Sequence, residues 1–255
     1  MGSEVWLLGN PVSRSLSPAM HNAAFDALGI DCRYLVREID GSQLVDTIAA
    51  MRADGRIVGA NVTIPHKQAV IPLLDQLDPL AGRIGAVNTI SRRGAKLLGA
   101  NTDVEGFRRA LDECGYVIQG KAVAIIGAGG AARAVAAALQ PVAAEVRVLA
   151  RKPEQARQLC RDLELVQGPP QAIDQLRDSL STADVVVNAT PSDLPPREWL
   201  RPEQRVFDLR SRRSREGRAM LLHQGAASFE IWTGRKAPVE IMREALNIAA
   251  QAVAV

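Results

Sequence analysis

Cysteine is scarce in this 255-residue chain. Its three thiols, Cys32, Cys114 and Cys160, stand far apart and are odd in number. They fit neither a disulfide framework nor a thiolate zinc pattern, and a reducing cytoplasm is the expected setting. Histidine is equally scarce. His21, His66 and His223 are not grouped like metal ligands, so no metal is expected. Aromatic residues amount to 4%, too few to interleave with basic residues in a nucleic-acid surface, and no nucleic-acid partner is expected. Long apolar runs are missing too. The alanine-rich stretch at 131–139 is interrupted by Arg133, and MGSEVWLLGNPV lacks the charged flank and apolar core of a signal peptide. No membrane association is expected. Nor does one sign of charge dominate: the formal net charge is +3, compatible with anionic small molecules and too weak to specify a partner.

What remains is a globular composition, 47% hydrophobic and 23% charged, long enough for two modest domains. Short apolar runs alternate with helical patterns, which predicts an α/β fold in two parts. In the first, residues 5–8, 34–36 and 57–62 read as strands. Helices read at 17–28 and 44–51, and 88–96 reads as a hairpin turning at SRRG. Val104, Phe107 and Leu111 recur at helical spacing, so 103–114 reads as an amphipathic helix. The second part has strands at 122–126, 146–149, 185–187 and 206–207, with helices at 131–139 and from Pro153. Two terminal helices follow, through Trp232 and over 238–252.

AVAIIGAGGAARAVAAAL is a strand, a glycine turn and a helix. Gly127, Gly129 and Ala132 match the G-x-G-x-x-G/A dinucleotide fingerprint. The first glycine makes the turn, the second admits a pyrophosphate, and the small third residue lets helix pack on strand. After the next strand come Arg151 and Lys152, with no acidic residue before Glu154. Basic residues there suit the 2′-phosphate of NADP, which makes NAD the less favoured cofactor. The alternative is two solvated charges after a strand.

GANVTIPHKQAV carries polar residues where an apolar run ends. Pro65 fits the first position of a helix, which places Lys67 in a first turn, where a positive charge opposes the macrodipole. Lys67 is there for chemistry or as a snorkelling surface lysine. GNPVSRSLSP puts Ser15 and Ser17 before a helix. Ser17 suits the N-cap, and the two hydroxyls suit a carboxylate. GAVNT supplies Asn88, and GANTD supplies Asn101 and Asp103.

Taken together, GNPVSRSLSP, GANVTIPHK, GAVNT, GANTD, GAGGAARA and MLLHQGAASFEIWTG resemble the shikimate dehydrogenase family in order and rough spacing, over nearly the whole chain. The resemblance implies an N-terminal α/β substrate domain (1–102, joined by C-terminal helices, 226–255) and a Rossmann-type NADP-binding domain (103–225). It implies reversible NADP-linked reduction of 3-dehydroshikimate to shikimate, with some members preferring quinate or NAD. Carried onto this chain, it puts Ser15 and Ser17 on the substrate carboxylate. Asn61, Thr63, Asn88, Asp103 and Gln224 would meet the ring hydroxyls, and Lys67 with Asp103 would form the acid–base pair. Gly127, Ala128, Gly129, Gly130, Ala131, Arg151, Lys152, Thr190, Gly217 and Met220 would face the cofactor. The implied partner is a small cyclic hydroxy acid, and the chain would act as a monomer or homodimer. A divergent paralogue acting on quinate or another cyclic hydroxy acid, or a weakly active ligand-binding relative, stays open beside this reading.

The chain departs from the family pattern in places. Only LRSRRSRE separates Asp208 from Gly217, and no tyrosine follows Tyr116. The four arginines of that connection are either a solvated loop or an anion-binding mouth. Ala150, Gln155 and Ala219 replace an asparagine, a basic residue and a glycine of the pattern.

Overall fold

The computed structural model describes residues 2–165, 171–172 and 175–253. The chain forms two compact units, Met1–Thr102 with Leu221–Val255, and Asp103–Met220.

The first unit is built on β1 (Ser3–Gly9), α1 (Ser17–Ala27), β2 (Cys32–Glu38), α2 (Leu44–Ala53) and β3 (Ile57–Val62). β4 (Gln76–Leu77), α3 (Pro79–Ile84), β5 (Thr89–Arg93) and β6 (Lys96–Ala100) follow. Its six-stranded sheet has the order β2-β1-β3-β5-β6-β4. β1 runs parallel to β2 and β3, whereas β5 is antiparallel to β3 and β6. The central strand explains its own apolar run: side chains alternate across a strand, and here both faces are covered. Val5 and Leu7 join one core with Met20 and Phe25 of α1, while Trp6 and Leu8 join another with Ile48 and Met51 of α2. The expected hairpin forms, and its second strand extends to Ala100. α3 was not anticipated, although DPLAGRIG carries its signals: Asp78 caps the Ala81 N–H at 2.6 Å, Pro79 opens the helix and Gly85 closes it at φ +66°.

The second unit contains α4 (Asp103–Glu113), β7 (Ala122–Ile126), α5 (Gly130–Leu139), β8 (Glu145–Ala150), α6 (Pro153–Asp162), β9 (Gln171–Ala172), α7 (Leu176–Thr182), β10 (Val185–Asn188) and β11 (Arg205–Asp208). Five parallel strands lie in the order β11-β10-β7-β8-β9. The order reverses at β7, and ligands of open parallel sheets bind at the strand ends by such a switch point. Helix α7 and strand β9 had no counterpart in the sequence reading. α8 (Arg215–Thr233) spans the boundary at Met220/Leu221, and α9 (Val239–Val253) ends the described chain. No helix among the described residues is long and apolar enough to cross a membrane.

Candidate active site

In the first unit, three of the polar residues singled out from the sequence meet in one buried cluster. Asn61, near the end of β3, accepts from the Tyr34 hydroxyl at 2.8 Å through Oδ1. Its Nδ2 donates to the Asn88 carbonyl at 3.0 Å and to Ser228 Oγ at 3.1 Å. Asn88, just before β5, accepts from the Thr102 N–H at 2.8 Å and donates to Gln224 Oε1 at 3.1 Å. Burying so many amides and hydroxyls is costly unless they bond one another, and here they do. Asn101 lies apart, its amide on the Ala86 carbonyl at 2.8 Å.

Ser15 and Ser17 stand at the start of α1, but not as expected. The N-cap position is Leu16, no side chain caps the helix, and Ser17 is its first residue. Its N–H instead donates to Ser15 Oγ at 3.2 Å, and its hydroxyl accepts from the Ser15 hydroxyl at 3.2 Å. The loop that brings in Ser15 is held by Glu38, whose carboxylate accepts from the Val12 and Ser13 N–H groups at 2.8 and 2.9 Å. Those bonds, Val12 first, keep it below the usual carboxylate range.

The helix expected to start at Pro65 does not form. Residues 64–65 and 67–70 are turns, and a short 3₁₀ stretch appears only at Ile71–Leu73. The His66 N–H closes a turn on the Thr63 carbonyl at 2.8 Å. The Lys67 carbonyl accepts from Val87 at 2.8 Å, so a helical ladder cannot propagate through it. The macrodipole argument for Lys67 therefore lapses. The residue sits half-buried on a turn tied to the segment before Asn88. Thr63, half-buried on the same turn, is not bonded through its hydroxyl to the cluster among the described residues.

Sequence reasoning missed Tyr34, Thr89, Thr102 and Ser228. Thr89 and Ser228 are fully buried, their hydroxyls 2.7 Å apart. The Gln224/Ser228 spacing was a usable signal, since residues four apart share a helix face. His21 is also fully buried, stacked on Tyr34 with ring centroids 4.5 Å apart. Neither of its ring nitrogens has a partner among the described residues, and burial lowers its pKa to about 3. His66 is a core residue bonded to the Ile39 carbonyl at 2.8 Å. Among the described residues, no cluster of three His, Cys, Asp or Glu side chains could hold a metal.

In the second unit, the glycine turn leaves β7 as the fingerprint requires. Gly127 has φ +117°, and a Cβ there would stand 3.1 Å from the Ala189 oxygen and 3.2 Å from Thr190 Cγ2. A Cβ at Gly129 would meet open space, and no side chain caps α5 there. Eight of the ten α5 positions are buried, five of them alanines. The first-turn N–H groups thus meet an open cradle, which fits a pyrophosphate. Arg151 and Lys152 are exposed after β8, Lys152 at the cap position of α6. Thr190 folds back on Asn188 Oδ1 at 2.8 Å. Asp103 is the first residue of α4 and 4% exposed.

Family models match three consecutive stretches: "Shikimate dehydrogenase substrate binding domain" over residues 7–90, "Shikimate / quinate 5-dehydrogenase" over 109–213 and "Shikimate 5'-dehydrogenase C-terminal domain" over 217–246. The shikimate dehydrogenase (NADP(+)) of Moorella thermoacetica is 44% identical, over 95% of this chain and 92% of its own. The chain belongs to the shikimate dehydrogenase family. Among solved structures, shikimate 5-dehydrogenase from Thermus thermophilus in complex with NADP(H) and shikimate aligns at TM-score 0.82 and 34% identity, over 97% of this chain and 99% of that one. Quinate dehydrogenase from Corynebacterium glutamicum in complex with NAD aligns at TM-score 0.81 and 28% identity, over 97% and 99%.

Against that family background, the arginine-rich connection is more structural than either sequence reading allowed. Arg210 is clamped by Asp208 at 2.5 Å and by Asp193, and the acids hold its guanidinium firmly charged. Ser214 bonds the Asp208 carbonyl at 2.5 Å and receives the Gly217 N–H at 2.8 Å, ordering the start of α8. A Cβ at Gly217 would stand 2.7 Å from the Arg210–Ser211 backbone, so this glycine has a packing reason of its own. Arg212, Arg213 and Arg215 are exposed, and Met220 is buried.

Proposed function

We propose that the protein is an NADP-linked oxidoreductase that interconverts shikimate and 3-dehydroshikimate. The observation that carries this reading is 44% identity, over 95% of the chain, to an enzyme named for that activity, with the acid–base residues and the glycine turn retained. NADP, when bound, supplies or accepts the hydride. Gly127 to Ala131 would hold its pyrophosphate, and Arg151 and Lys152 its 2′-phosphate.

The protein's own task is to bind and orient the hydroxy acid and to move one proton. Ser15 and Ser17 would take the carboxylate, while Asn61, Thr63, Asn88 and Gln224 would meet the ring hydroxyls. Lys67 Nζ would accept the hydroxyl proton in oxidation and return it to the carbonyl oxygen in reduction. Asp103 would accept a hydrogen bond from Lys67 Nζ and hold the lysine beside that hydroxyl. Such proton transfer is worth about 10²–10⁴ in rate. Lys67→Ala should therefore lower kcat by about that factor while the KM for shikimate changes little. Near-normal turnover in Lys67→Ala would remove the lysine from the chemistry.

A second reading, oxidation of quinate, is supported by the likeness to the quinate dehydrogenase. Comparing kcat/KM for the two acids separates them.

A further inference from the structure

The buried cluster of the first unit forms one run of hydrogen bonds, anchored on two backbone groups. The Thr102 N–H donates to Asn88 Oδ1 at 2.8 Å, and the Thr89 hydroxyl reaches the same oxygen at 3.0 Å. Thr89 and Ser228 share a hydrogen bond at 2.7 Å, and the Ser228 hydroxyl also reaches the Gln224 carbonyl at 3.0 Å. Ser228 in turn accepts from Asn61 Nδ2 at 3.1 Å.

The second fixed point is the Asn88 carbonyl, which can only accept. It holds the Asn61 amide nitrogen at 3.0 Å and so aims Oδ1 at Tyr34. Tyr34 therefore donates to Asn61 at 2.8 Å. At the far end, Asn88 Nδ2 donates to Gln224 Oε1, and Gln224 Nε2 donates to the Leu221 carbonyl at 2.9 Å.

We propose that Tyr34, Thr89 and Ser228 are positioning residues that join Asn61, Asn88 and Gln224 into one buried hydrogen-bond chain. The proposal rests on the functional reading above, in which those three residues meet the hydroxy acid. Asn61 Oδ1, with one lone pair given to Tyr34, offers the other to a ring hydroxyl. That acceptor is preset, which avoids the reorganisation that binding otherwise costs.

The test pairs two changes at one site. Thr89→Val removes the hydroxyl and keeps the shape, whereas Thr89→Ser keeps the hydroxyl and loses a methyl. Ser228→Ala breaks the neighbouring link and guards against one variant failing to fold. The expected result is a rise of about tenfold in the KM for shikimate in Thr89→Val and Ser228→Ala, near-wild-type KM in Thr89→Ser, and an unchanged KM for NADP in all three. The Thr89→Val/Ser228→Ala double variant should rise well short of the product of the two. Equal KM values in Thr89→Val and Thr89→Ser, or a fully multiplicative double variant, would overturn the proposal. Nuclear magnetic resonance of the Asn61 and Asn88 side-chain amides reads the chain without substrate. Slow hydrogen exchange in wild type and Thr89→Ser, and fast exchange in Thr89→Val, supports the chain even if wild type turns over no shikimate, which would defeat the functional reading alone. Fast exchange in wild type would defeat the chain.

Discussion

The two units prepare for a ligand by opposite means. The first uses side chains: Asn61, Asn88, Thr89, Gln224 and Ser228 are all buried and hydrogen-bonded to one another. The second uses backbone. Its cradle is a glycine turn and an uncapped helix start, and its buried polar groups, such as Arg133 on Asp162 and Arg147 on the Ser179 carbonyl, tie helices and strands together elsewhere. A backbone cradle reads any pyrophosphate alike, whereas a side-chain network is shaped to one pattern of hydroxyls. The substrate end should therefore be sensitive to single polar changes and to protonation, and the nucleotide end to added bulk.

The largest expected effect is on the side-chain unit. His21 is buried neutral with a pKa of about 3, below the 6.5 of an exposed histidine. The unfolded chain therefore binds the extra proton between those values. Its contribution to stability is complete above pH about 6.5 and falls as pH drops, by roughly 1.4 kcal/mol per pH unit, down to about 3. Denaturant unfolding of wild type and His21→Phe between pH 7.5 and 4.5 checks this. The variant should lose less stability on acidification, and parallel curves would separate His21 from acid sensitivity. In the backbone unit, Gly127→Ala should cost about 1–3 kcal/mol and raise the KM for NADP, because φ +117° and the Ala189 oxygen leave no place for a Cβ. Unchanged melting and KM would show that the turn adapts. Replacing Arg151 and Lys152 together by alanine should raise the KM for NADP about tenfold and that for NAD little, at unchanged melting temperature. Equal effects on both cofactors would count against 2′-phosphate recognition. Arg210→Ala should be the mildest, about 1 kcal/mol by denaturant titration, since its partly exposed ion pairs are screened.

The same contrast explains what could be read from the sequence. The glycine turn was legible because backbone geometry selects residue types at fixed spacing: GAGGAARA between an apolar strand and an alanine-rich helix has few other uses. Arg151 and Lys152 were located for the same reason, as the residues after the next strand. Asn61, Asn88 and Gln224 were legible only through the family resemblance, because their contacts join residues up to 167 positions apart. Tyr34 and Ser228 were hidden more thoroughly. Tyr34 sits in a strand where an aromatic needs no special explanation, and Ser228 lies within an apolar helical run. The helix expected at Pro65 failed because a long-range bond, Val87 to the Lys67 carbonyl, overrode a correct local rule about proline. Helix α3 failed in the other direction, its Asp-Pro start and glycine stop passed over inside a short segment.

The central claim is NADP-linked oxidation of shikimate by this chain. Its most direct test is steady-state cofactor reduction by the purified protein with shikimate or quinate and NADP or NAD. The account predicts the highest kcat/KM for shikimate with NADP. No turnover in any of the four combinations, or quinate with NAD exceeding shikimate with NADP, would contradict it.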